Sequence, residues 1–80
     1  MATSETMSTE RPQKRSLTLQ GHRTSVSLEE PFWVEFCRLA RAEGVSVNAL
    51  ASQLDKERTP PASLASAIRL YVLAKIKAGH

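Results

Sequence analysis

The chain is poor in cysteine, in histidine and in long apolar runs. Its single cysteine, Cys37, excludes an intrachain disulfide. One cysteine and two histidines, one of them the last residue His80, do not make a zinc site of ordinary spacing. No run approaches the roughly 18 apolar residues of a membrane-spanning helix, and no apolar stretch follows Met1 as in a secretory signal. There is no Gly-rich phosphate loop, and neither histidine sits near a carboxylate in a recognisable nucleophile–base pattern. These absences read as a soluble, cytoplasmic, non-enzymatic protein with no metal, no cofactor and no membrane partner.

What is present is small and patterned. The chain has 80 residues, which sets one domain as the ceiling. Residues 1–13, "MATSETMSTERPQ", are polar and read as a disordered tail, leaving residues 14–78 as the domain. A chain this short seldom buries a sufficient core alone, and with disulfides and metal set aside a second copy is the remaining aid. The formal charge is +3, unevenly laid out. Residues 11–23 hold Arg11, Lys14, Arg15 and Arg23 with no acid, and residues 58–80 hold Arg58, Arg69, Lys75 and Lys77 with no acid, whereas 24–57 is net acidic. Two copies would merge such segments into a basic patch suited to a polyanion, most simply DNA.

Hydrophobic period assigns the elements. In "HRTSVSLEE", Thr24, Val26 and Leu28 alternate with Arg23, Ser25 and Ser27, the mark of a half-buried strand. Upstream, Leu17 and Leu19 alternate in the same way. Gln20-Gly21 between the two stretches allows a local hairpin or one long kinked strand. A first helix follows in "EEPFWVEFCRLARAEG", with Phe32, Phe36, Leu39 and Ala40 at helical spacing, Trp33 beside them and Gly44 as its stop. A second, "SVNALASQLDKE", starts at the capping residue Ser46 and carries Val47, Leu50, Ala51 and Leu54. "RTPPAS" breaks it. A third, "SLASAIRLYVLAKIKAG", is apolar around most of its circumference, with Ile68 and Val72 on its main stripe. Cys37 reads as an inert thiol, and Trp33 and Tyr71 as core aromatics.

A strand needs a partner for its backbone groups. A lone strand ahead of two short helices can pair with its own copy, which gives a two-stranded ribbon able to enter a major groove about 12 Å wide. The run "HRTSVSLEEPFWVEFCRLARAEGVSVNAL" resembles the ribbon-helix-helix family, the class of Arc repressor and the methionine repressor. "TSVSLEEPFW" looks like its strand-to-helix junction and "RAEGVSVNAL" like its inter-helix turn. Residues 14–77 as a whole are similar to a bacterial subgroup of that family. The resemblance implies a mainly α fold with a short β-ribbon, an intertwined homodimer with antiparallel intersubunit strands, and here an added upstream strand and C-terminal helix.

It also implies roles. Arg23, Ser25 and Ser27 would read base edges. Ser46, Val47 and Asn48, at the start of the second helix, would hold a phosphate, with Asn48 alternatively bonding within the dimer. Lys14 and Arg15 would follow phosphates or reach a minor groove if residues 14–20 extend as an arm; folded back beside the ribbon, the same segment would make the dimer's sheet four-stranded, wider than the two-stranded ribbon that enters the groove. His22 would touch phosphate or close the turn. Val26, Leu28, Phe32, Trp33, Phe36, Leu39, Leu50, Leu54, Ile68 and Val72 would form the dimer core. The implied function is sequence-specific binding of double-stranded DNA by a nucleoid-associated transcriptional regulator. The alternative is a dimeric interaction module, an antitoxin or adaptor, that binds a protein partner.

Overall fold

The computed structural model describes residues 11–79; most of the tail expected over residues 1–13 lies outside them. Two strands, β1 (Gln13–Leu19) and β2 (His22–Leu28), form an antiparallel hairpin, followed by α1 (Glu30–Ala42), α2 (Val47–Glu57) and α3 (Leu64–Lys77). The hairpin closes because both turn residues take left-handed backbone, Gln20 at φ 53° and Gly21 at φ 84°. Two consecutive positive φ values are the turn geometry whose twist matches a strand pair. A local partner therefore precedes the intersubunit one expected for β2: β1 holds one edge of β2 within the same chain, and among the described residues no strand holds the other.

Register sorts the side chains. Leu17 stands opposite Thr24, Arg15 opposite Val26 and Gln13 opposite Leu28, so these share one face. Leu17, Val26 and Leu28 on that face are buried. They meet Phe36, Leu39 and Ala40 of α1, Leu50 and Ala51 of α2, and Ile68 and Val72 of α3 in one core. Phe32, Trp33 and Leu54 are partly buried against it. Residues expected in a dimer core thus close a core inside one chain. Phe36 is its centre, wholly buried, with the Tyr71 ring edge-on at 6.2 Å and Trp33 tilted at 6.3 Å. Edge-to-face geometry sets the positive rim of one ring against the negative face of the other.

Each helix starts and stops for a local reason. α1 has Glu30 and a proline in its first turn, where a missing N–H costs nothing and negative charge meets the helix dipole. It ends at Gly44, φ 74°, with Val45 N donating to the Ala40 carbonyl and Gly44 N to that of Arg41, both at 3.0 Å. That pair of bonds is the left-handed stop that glycine permits. Ser46 caps α2 by accepting from Ala49 N at 2.9 Å, and Ser63 caps α3 by accepting from Ser66 N at 3.1 Å. Arg58 ties the intervening loop, its Nε donating to Asp55 Oδ1 and its Nη1 to the Ala62 carbonyl, both at 2.7 Å.

α3 is fastened to the start of α1 by Arg69. Its Nε and Nη2 donate to the two Glu29 carboxylate oxygens at 2.8 and 3.1 Å, a bidentate arrangement. These hydrogen bonds, with the Arg69 charge adding a smaller part, hold the Glu29 carboxyl below its ordinary range. A lowered carboxyl pKa means that the fold prefers the ionised form. Its stabilisation is complete above the unfolded-state pKa and disappears as pH falls through the folded value. Glu29→Gln should therefore lower stability at neutral pH and flatten the loss of stability below about pH 4.5; urea midpoints from pH 7 to pH 3 measure both, and parallel curves for the two proteins would refute it. Gln20→Asn, a side chain more tolerant of left-handed backbone, should raise stability by up to about 1 kcal/mol, read from the same midpoints at neutral pH.

Candidate nucleic-acid interface

The hairpin's second face follows from the first. With Leu17, Val26 and Leu28 turned inward, alternation turns Lys14, Ser16 and Thr18 of β1 outward beside Ser27, Ser25 and Arg23 of β2. All six are exposed. The face carries two cations and four hydroxyls and no acid. Among the described residues, neither Lys14 nor Arg23 meets an acidic side chain at ion-pair distance. Such a surface donates hydrogen bonds and positive charge and offers hydroxyls that can accept.

Arg15 and His22 stand elsewhere. Arg15 points inward, with 15 % of its side chain exposed; its Nη2 donates to Glu30 Oε1 at 2.6 Å. Its guanidinium lies 5.5 Å from the centre of the Trp33 ring, a cation–π contact. It joins the sheet to α1 and does not share the outer face with Lys14. His22 pairs with Leu19 on the inner-facing side of the turn. There it borders a cavity of about 350 Å³ that also touches Thr24, Ser25 and Leu64. Alternation alone separates Arg15 from Lys14 and His22 from Arg23.

The start of α2 is positioned by Asn48. Its Oδ1 accepts from Thr18 N at 3.0 Å, which sets the helix N-terminus against the outer edge of β1. Ser46 occupies Ala49 N, while the first-turn N–H groups of Val47 and Asn48 have no carbonyl within the helix to receive them. Ser46, Val47 and Asn48 thus lie beside the hairpin edge, next to the outward-facing Thr18. Sequence reading left out Ser16 and Thr18. Their signal was present in the alternation of "KRSLTL", and it becomes decisive only once β1 is known to pair with β2. It also left out Arg69, whose Nη2 donates to the Ser27 carbonyl at 3.4 Å; a contact between residues 42 positions apart leaves no local trace.

The chain matches the family described as ribbon-helix-helix domain over residues 12–76. That span holds both strands, α1, α2 and nearly all of α3. The chain belongs to the ribbon-helix-helix family, a non-enzymatic fold of DNA-binding regulators. Searches of curated proteins and of solved structures give no significant match. Asn48→Ala should free the Thr18 amide at a cost of about 1 kcal/mol, with Thr18 exchanging its amide hydrogen faster than the β1 amides bonded to β2. Unchanged exchange at Thr18 would show that the bond does not anchor α2.

Proposed function

We propose that this chain is a homodimeric, sequence-specific DNA-binding regulator that presents the outer face of its hairpin to the major groove. The observation that carries the reading is the composition of that face: Lys14, Ser16, Thr18, Arg23, Ser25 and Ser27, with no acid among them. In an antiparallel pair closed by a two-residue turn, the backbone groups of Arg23, Ser25 and Ser27 point away from β1. That edge can pair with its own copy, which gives the order β1-β2-β2-β1 across two protomers. Neighbouring strands stand about 4.8 Å apart, so four of them span roughly 14 Å.

The groove is about 12 Å wide. The two central β2 strands fit within it, and the flanking β1 strands fall over its phosphate walls. Arg23, Ser25 and Ser27 are then the base readers, with Arg23 suited to the O6 and N7 of guanine. Lys14 contacts phosphate, and the α2 N-terminus at Ser46, Val47 and Asn48 offers its N–H groups to the next one. Arg15 supports the sheet from beneath. Such a protein resides on cytoplasmic, nucleoid DNA.

Selection from random duplex DNA across a salt series tests this. The expected result is an enriched palindromic or repeated site and affinity that falls steeply with salt. Arg23→Ala should cost about 1–3 kcal/mol on the selected site and relax preference at one base position. Equal loss on every sequence would reassign Arg23 to a phosphate. No binding at low salt would overturn the reading in favour of a protein-binding module, an antitoxin or adaptor.

A further inference from the structure

The open edge of β2 has two unlike ends. At the Ser27 end, α3 runs alongside, held by the bonds from Arg69 to Glu29 and to the Ser27 carbonyl. Leu73 and Ile76 follow Arg69 at i+4 and i+7 and so continue its stripe along the helix, with Leu70 flanking it. These three are large apolar side chains left 50 %, 48 % and 64 % exposed. At the His22 end lies the cavity of about 350 Å³ beneath the turn. Leu19 and Leu64 form its apolar wall, Gln20, His22, Thr24 and Ser25 line the rest, and its charged rim is already satisfied, since Asp55 and Arg58 bind each other at 2.7 Å. It is an open cleft in which an apolar side chain can meet Leu19 and Leu64 without breaking the ion pair.

A two-fold axis relating antiparallel strands sets each end of one strand against the opposite end of the other. An exposed leucine stripe at one end and a cavity at the other are what a self-complementary surface requires. We propose that in the dimer the Leu70–Leu73–Ile76 stripe of one protomer's α3 seats in the cavity beside Leu64 of its partner, twice by symmetry. The proposal rests on the edge-to-edge dimer of the previous section and adds the interface that closes it. A strand edge of three residues falls well short of the roughly 800 Å² per partner that a stable association buries. The α3 stripe supplies the apolar centre that such an interface has.

Two measurements on the full chain test it. Leu73→Glu, at a half-exposed position whose replacement leaves the core intact, should raise the dimer dissociation constant at least about tenfold in sedimentation equilibrium, with the far-ultraviolet circular dichroism unchanged. In a Cys37→Ser background, Leu64→Cys and a mass-tagged Leu73→Cys chain should form a disulfide when mixed, and neither should do so alone. Leu73→Cys cross-linking to itself would mean that stripe meets stripe and would overturn the seating. So would a Leu73→Glu dimer as tight as the unsubstituted one, with the edge-to-edge dimer left standing. An unsubstituted chain that is monomeric at all concentrations would overturn both.

Discussion

A two-stranded sheet has two faces and two edges, and in water it is marginal until some of them are covered. Each surface of this hairpin meets a different fate. The inner face is closed by Leu17, Val26 and Leu28 against all three helices. The β1 edge is met by Asn48 at Thr18. Among the described residues, the β2 edge receives one bond, from Arg69 to Ser27. The outer face is left to solvent and is wholly polar. Backbone groups that are not satisfied internally need water or a partner, so the uncovered edge and face are where the molecule has chemistry left to do.

Charge is distributed by the same logic. Acids are held on the helical side: Glu30 holds Arg15, Glu29 holds Arg69, and Glu43, at the end of α1, accepts from Tyr71 and stands 3.7 Å from Lys75. Burial, followed by that bond to Glu43, pushes the Tyr71 hydroxyl up to about 12, so it remains a donor at any physiological pH. With Glu35 on Arg38 and Asp55 on Arg58, most helical carboxylates are paired, and among the described residues none stands on the outer face of the hairpin. A modest net charge becomes a one-sided field by subtraction, and one-sidedness, more than total charge, steers a polyanion to a particular face.

The helices were legible because their signals are local. Ser46, Ser63, Gly44 and the Pro60-Pro61 break each act within a few residues, and the stripes of Phe36, Leu39, Leu50, Ile68 and Val72 report burial by period alone. The hairpin was half legible. Gln20-Gly21 is a weak turn signal because glutamine resists left-handed backbone, and without the turn the register of β1 is undefined. Register decides which of two adjacent bases faces out, so Lys14 and Arg15 looked equivalent in sequence and have opposite surroundings in space. Arg69 and Glu29 were illegible as a pair, being 40 residues apart, and Asn48 could be read as a phosphate contact or as a bond within the dimer until Thr18 was placed beside it.

The third helix explains how such a small chain closes its own core and still keeps a surface suited to a second copy. Its Ile68 and Val72 complete the contacts around Phe36, a job for one side of the helix only. A helix that served the core alone would be polar opposite that stripe. α3 instead keeps Leu70, Leu73 and Ile76 in water, where they contribute nothing to the isolated chain and expose it to aggregation. Arg69 sits at the boundary between the two sides, fixing α3 to Glu29 while touching the carbonyl row that a partner strand would use. The helix is thereby tied, by one residue, to the end of the edge at which its exposed leucines are of use. Core closure and pairing are thus assigned to adjoining sides of a single element, and Ile76, four residues past Val72, lies where they meet.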